Sequence, residues 1–228
     1  MALSYATLEN HIQYFPVMCA NFKPLRPELS PILDLFPPTF DYKSEVYPGY
    51  NSPILVKHKN HMEWREAIFG LIPKWAEDSK ISRHTYNARL ETVAEKPSFR
   101  QAWRNHQFAL VAVESIYEPR YLNNKPERWA IERNDDQPFT VAALYELAQQ
   151  HDELVRSMTM LTVNADQHSL MKHFHAPEDE KRSIVVIPAH LRMEWLTADQ
   201  QTAREMLKEL GATSSFHPDD FKAYAAPR

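Results

Sequence analysis

Glycine is scarce in this chain, with three residues among 228 against 17 prolines. Neither GxGxxG nor GxxxxGK[ST] can be drawn from Gly49, Gly70 and Gly211, which excludes the glycine-rich loops that cradle nucleotide phosphates. Cysteine is scarcer still. A single Cys19 rules out an internal disulfide framework and a cysteine-based zinc cluster, and it suits a reducing compartment. No apolar run approaches the roughly 18 residues that a membrane span needs. The leading stretch MALSYATLENHIQYFPV lacks a basic start, and Glu9, Asn10, His11 and Gln13 interrupt its apolar residues. It does not read as a secretion signal, and a cytoplasmic protein is expected. There is no GxSxG, so a nucleophile elbow is excluded as well.

What is present suits one domain with a real core, since 43% of the residues are hydrophobic and 11% aromatic. The net charge of −4 argues against coating nucleic acid through bulk charge. Its distribution is uneven. Residues 74–104 carry seven basic side chains (Lys74, Lys80, Arg83, Arg89, Lys96, Arg100, Arg104) against four acidic ones (Glu77, Asp78, Glu91, Glu95). A local basic surface on an acidic body fits a small, site-directed anion ligand, or is an ordinary solvated face.

Strand-like runs dominate. SPILVKHK and EWREAIFGLI read as two strands joined by a polar turn around Asn60. FALVAVESIYEPRY (108–121) is apolar on both faces and therefore central, with RWAIERN, FTVAALYEL, SMTMLTV and RSIVVIPA as further strands. PELSPILDLF reads as a short helix with proline at its start, and SFRQAWRNH as one capped by Ser98. SLMKHF reads as a helical turn. PAHLRMEWL and TADQQTAREMLKEL read as helices, the latter ending at Gly211. Residues 72–97 show little periodicity and are expected as a long structured loop, a kind of segment that usually carries function. With no regular βαβ alternation, the expected fold is α+β: a single domain with a mixed, largely antiparallel, barrel-like sheet and surrounding helices.

Several residues are candidates for chemistry. Glu118 near the end of the most apolar strand is either a solvated strand end or a tuned acid–base group. His175 precedes a buried strand, and its neighbours His168 and His173 make only a weak case for a metal, with no third fixed ligand. Asn87 and Arg89 can hold a ligand or satisfy loop backbone. Cys19 directly follows Met18. A lone cysteine is ordinarily a small buried hydrophobe, but removal of everything through Met18 would leave Cys19 with both a thiol and a free α-amine. Reference pKa values of about 8.5 and about 7.7–8.0 keep a useful fraction of that amine neutral near pH 7. A 1,2-aminothiol condenses with an aldehyde to an imine and closes to a five-membered thiazolidine. An amide nitrogen cannot do this.

Taken together, MCANF, FGLIPKW, YNARLETVAEKPSFRQAW, VESIYEPRY and LTVNADQHSLMKHFHAPEDEKRSIVVI resemble, in order, the segments of the SOS-response-associated peptidase (SRAP) family of abasic-site processing proteins. The YNARLET block is the most specific. The resemblance runs from Met18 almost to the end, making 18–228 an SRAP-like domain and 1–17 a mis-annotated start or a removed leader.

The resemblance implies a protein that binds single-stranded DNA at an abasic site and traps the ring-opened sugar covalently on an N-terminal cysteine. By position, Cys19 is the nucleophile, Asn87 holds the cysteine and sugar, Glu118 is an acid–base group near the amine, and His175 helps open the sugar ring. Arg89 and Trp75 contact phosphate and an unstacked base, with Lys96 and Arg100 of the same basic segment on the DNA side. No cofactor or metal is implied. A monomer that joins the nucleoid when bound to DNA is expected. The chain departs from the family at Asn21, where an arginine is expected, at Pro119 in place of a tryptophan, and at Glu114-Ser115 in place of Asp-Gly. The first departure removes a phosphate contact. The alternatives are a non-covalent reader of single-stranded or modified DNA, and an autoprotease or cysteine hydrolase.

Overall fold

The computed structural model describes residues 20–213 and 216–227. In chain order the strands are β1 (Asn21–Pro24), β2 (Asn51–His58), β3 (His61–Phe69), β4 (Asn87–Arg89), β5 (Phe108–Leu122) and β6 (Lys125–Arg133). They continue with β7 (Phe139–Gln150), β8 (Glu153–Asn164), β9 (Arg182–Ile184), β10 (Val186–Ile187) and β11 (Phe221–Ala225). The α-helices are α1 (Arg100–Arg104), α2 (Arg192–Thr197) and α3 (Gln200–Thr213). The sheet closes on itself: β5 pairs β7, β7 pairs β8, β8 pairs β3, β3 pairs β2, and β2 returns to β5. Most pairings are antiparallel, but β3 and β4 run parallel to β8, so the barrel is mixed. The expected fold class is the one observed.

Closure explains why β5 is apolar on both faces. Ala109, Val111 and Val113 point into the barrel with Phe69, Val141 and Met160. Leu110 and Ala112 point outward, where Trp103 of α1, Trp195 of α2 and Leu207 of α3 cover them. The Trp195 Nε1–H donates to the Ala109 carbonyl at 2.8 Å, which satisfies the buried indole and pins α2 to the barrel. Burying such apolar surface contributes about 25 cal/mol per Å², so both layers share in holding the site.

The β5–β6 hairpin turns on Asn123 and Asn124, both at positive φ (50° and 59°). Asparagine tolerates this left-handed geometry, which two-residue hairpins of matching twist require. Farther back in β5 the pairing with β1 slips. Lys23 lies opposite Ser115 while Pro24 lies opposite Val113, leaving Glu114 unmatched. Such a bulge flips the alternation that follows it. Ile116 therefore joins the inner cluster with Ile131, and Glu118, two residues on, shares that face.

Four local readings change. The segment 72–97 contains β4 and a 3₁₀ turn at Ser79–His84, because β8 offers Asn87–Arg89 a parallel edge. Ser98 does not cap α1: the N-cap is Phe99, without a side-chain bond. Helix α3 does not stop at Gly211 but continues to Thr213. A Cβ at position 211 would sit 2.6 Å from a methyl of Val163, so glycine there permits close helix–strand approach. Finally, β11 completes the edge beside β6, unanticipated in the sequence.

Gly70, in FGLIPKW, has φ +107°, and a Cβ there would lie 2.0 Å from the backbone oxygen of Ser82. Neither side of that contact can yield cheaply. Gly70→Ala is expected to destabilise the fold by ~3 kcal/mol or more, read as a lowered urea midpoint with an unchanged m-value.

Candidate active site

Glu118 and His175 come together although 57 residues separate them: the imidazole Nε2 lies 3.0 Å from Glu118 Oε2. The carboxylate is 2% exposed and the histidine 5%. Glu118 is thus no solvated strand end. The backbone N–H of Arg182 approaches His175 Nδ1 at 3.4 Å, which makes Nδ1 the acceptor and leaves the ring hydrogen on Nε2, facing the carboxylate. His175 itself stands at φ +65°, and its N–H donates to the Pro119 carbonyl at 2.8 Å. A non-glycine residue held in this region costs on the order of 1–3 kcal/mol and persists where its surroundings over-determine it.

Arg182 supplies much of that constraint. It is 2% exposed and bonds Glu91 through both carboxylate oxygens, at 2.9 and 2.8 Å. It also donates to Glu180 at 2.9 Å and to the Thr162 carbonyl at 2.8 Å. Burial pushes the Glu91 carboxyl up, but Arg182 and backbone hydrogen bonds together hold it below the ordinary carboxylate value. Glu180 in turn reaches Arg89 at 2.9 Å. A chain of contacts thus runs from exposed Arg89 through Glu180 and Arg182 to the buried His175–Glu118 pair.

On its other side, Glu118 lines a cavity of about 360 Å³ with Ala20, Asn21, Tyr47, Tyr117 and Arg128. Asn21 pairs with Tyr117 across β1–β5, so the register continued by one residue sets Ala20 against Glu118. Cys19, the next residue back, lies outside the described residues, as does the 1–17 segment.

The remaining expected residues sit elsewhere. Asn87 opens β4 and is half-buried opposite Met160. Trp75 is 58% exposed, its indole N–H bonded to the Pro97 carbonyl at 3.2 Å, next to exposed Lys96. Arg100 begins α1 and is exposed. None of Trp75, Arg89, Lys96 and Arg100 lines the cavity, and all four are exposed, whereas Glu118 is part of its wall. His168 does not sit in a metal cluster: its Nδ1 accepts the backbone N–H groups of Leu170 and Met171, both at 3.1 Å, and so caps a turn. Among the described residues no three His, Cys, Asp or Glu side chains converge as ligands.

A model of the family described as SOS response associated peptidase (SRAP) matches residues 27–227. The chain belongs to the SRAP family. The abasic site processing protein YoaM of Bacillus subtilis is 28% identical over 195 residues, covering 84% of this chain and 82% of that protein. The abasic site processing protein YoqW of Bacillus phage SPbeta is 28% identical over 196 residues, with 84% and 83% covered. A crystal structure of a Bordetella bronchiseptica protein superposes with a TM-score of 0.80 at 25% identity, covering 92% of this chain and 100% of that one.

Within this SRAP domain, two departures acquire a structural account. Glu114 is the bulged residue of β5, and its carboxylate leaves the sheet to bond Lys23 and Arg26, each at 2.9 Å. At Pro119 there is no indole, but Trp129 lies directly across from Glu118 on β6 and packs edge-on against Phe174, the neighbour of His175. Sequence reasoning missed Arg128 on the cavity wall and Arg182 behind His175. Arg182 opens a run of buried strand residues, where a charge is conspicuous, so that signal was available. Arg128 stands in an ordinary charged strand end and gave none.

Proposed function

We propose that this chain processes abasic sites in single-stranded DNA, forming a covalent thiazolidine between the sugar aldehyde and Cys19. One observation carries the reading: Glu118, bonded to the buried His175, lies on the wall of a cavity that Ala20, the residue after Cys19, also lines. Covalent continuity keeps the Cα of Cys19 about 3.8 Å from that of Ala20. The family's relatives described as abasic site processing proteins support the substrate class.

In this mechanism residues 1–18 are absent and Cys19 carries a free amine. As the C1′–O4′ bond of the abasic sugar breaks, His175 gives its Nε2 proton to the ring oxygen while Glu118 takes the proton of the anomeric hydroxyl and returns it to Nε2, so the aldehyde forms and both residues are restored. The amine then adds to the aldehyde carbon, and Glu118 accepts the proton released from nitrogen. Loss of one water yields the imine. The thiol adds to the imine carbon, its proton passes to the former imine nitrogen, and the ring closes. A buried carboxylate and imidazole in contact are suited to such transfers. The outer surface of Arg89, Lys96 and Arg100 tracks phosphate, and exposed Trp75 offers a face on which a base can stack. The chain acts as a monomer in this reading.

Affinity and chemistry separate experimentally. Arg89→Ala should weaken binding to a labelled single strand and lower the slope of log affinity against log salt by about 0.7, the value of one lost single-strand phosphate contact. Glu118→Gln should bind nearly normally but form adduct about 100-fold more slowly, as expected on losing a general acid–base group. Titration at several salt concentrations, followed by timed adduct formation at saturation, reads both. Normal binding by Arg89→Ala with lost binding by Glu118→Gln would reverse the two roles and overturn the assignment.

A further inference from the structure

We propose that Arg128 binds a phosphate of the nucleic acid strand, and that Glu45 occupies its anion position while no strand is bound. The inference rests on the proposed function and adds a contact to it. Arg128 stands on β6 at the wall of the cavity that Ala20 and Glu118 share. Its guanidinium lies over the Tyr117 ring, 3.4 Å from the centroid. Nη1 donates to the Ala226 carbonyl and Nη2 to Asn21 Oδ1, both at 2.9 Å. These partners orient the group without neutralising it, and among the described residues its buried Nε has no acceptor.

The charge is balanced by Glu45, whose Oε1 accepts from Nη2 at 2.6 Å. That carboxylate is 37% exposed, and it belongs to the loop whose Tyr47 and Pro48 line the same cavity. The Tyr47 hydroxyl donates to its other oxygen at 2.8 Å. Burial pushes the Glu45 carboxyl up, yet the bonds from Tyr47 and Arg128 leave it below its ordinary value, so it is held as an anion. A carboxylate and a phosphate present similar oxygens to a guanidinium fork. An arginine oriented by neutral groups and balanced by one exposed carboxylate is therefore open to anion exchange.

Arg182 shows the contrast. Its side chain is 1% exposed, away from the lining of this cavity, and it is locked by Glu91 and Glu180 together. Arg128 also meets Asn21 through a direct bond, so a guanidinium reaches the surroundings of position 21 from the neighbouring hairpin although position 21 itself bears an amide.

The test uses a fluorescent single strand carrying one tetrahydrofuran abasic analogue, which has no aldehyde and so reports affinity alone. Arg128→Gln should weaken binding about tenfold and lower the salt slope by about 0.7. Glu45→Gln should tighten binding several-fold, because the phosphate no longer displaces a carboxylate. Were Arg128 only a clamp on β1, both changes would loosen the same wall and move affinity in the same direction. Opposite shifts support the inference; shifts of one sign, or an unmoved Glu45→Gln, overturn it. If thermal unfolding shows that Arg128→Gln does not fold, the sign of the Glu45→Gln shift decides alone. A wild-type chain that binds no such strand overturns the functional reading together with this inference, whereas normal wild-type binding with unshifted variants overturns only the inference.

Discussion

Protein prepared to begin at Cys19 is expected to form a heat-stable adduct with single-stranded DNA containing a natural abasic site, and Cys19→Ser is expected to abolish it. Serine keeps the α-amine, so an imine can still form, but no thiol is available to close the five-membered ring. The imine hydrolyses, and a denaturing gel after heating should show no shifted band. Trapping with borohydride should recover the serine adduct, because reduction of the C=N bond removes the route back to aldehyde and amine. This pair of measurements separates loss of the thiol from loss of binding. A heat-stable band of undiminished yield from Cys19→Ser, without reduction, would count against the thiazolidine.

The second large effect concerns the nitrogen. A chain verified by intact mass to retain residues 1–18 should give no adduct under the same conditions, with or without borohydride. Its Cys19 nitrogen is an amide, whose lone pair is delocalised into the carbonyl, and it cannot add to an aldehyde. The thiol alone can give only a reversible hemithioacetal. Binding of the tetrahydrofuran strand should persist in part, since Arg89 on β4, Arg100 on α1 and Lys96 between them lie far along the chain from the first residues. Equal adduct from the extended and trimmed chains would remove the amine from the mechanism. A non-covalent reader would be the better description if the trimmed chain also binds without reacting.

Elements with strong local pattern were the legible ones. The β2–β3 hairpin follows from two strand-like runs around a polar turn, and β5 from a run apolar on both faces. The short strand β4 was not legible, since three residues cannot establish a period and Asn87–Arg89 becomes a strand only by pairing with β8. Gly211 looked like a helix terminus because glycine so often is one. The observed reason for it is contact with Val163, which lies 48 positions away in the chain and outside any local window.

The same division runs through the site. By itself the sequence determined the chemical possibilities: one thiol directly after a methionine, too few glycines for a phosphate loop, and a basic segment on an acidic chain. It also carried the family's segments in order, and so named Glu118 and His175 as candidates. Only the tertiary structure decided that these two meet at 3.0 Å in a buried pair, and that Arg128 reaches Asn21 and Glu45. The bulge at Glu114 shows why. Alternation along β5, read locally, sends Glu118 to the helix-covered face with Leu110 and Ala112. The unmatched residue inverts that parity and turns the carboxylate to the inner face beside Trp129. Side-chain periodicity is a property of neighbours in the chain, whereas a bulge exists only where a second strand sets the register.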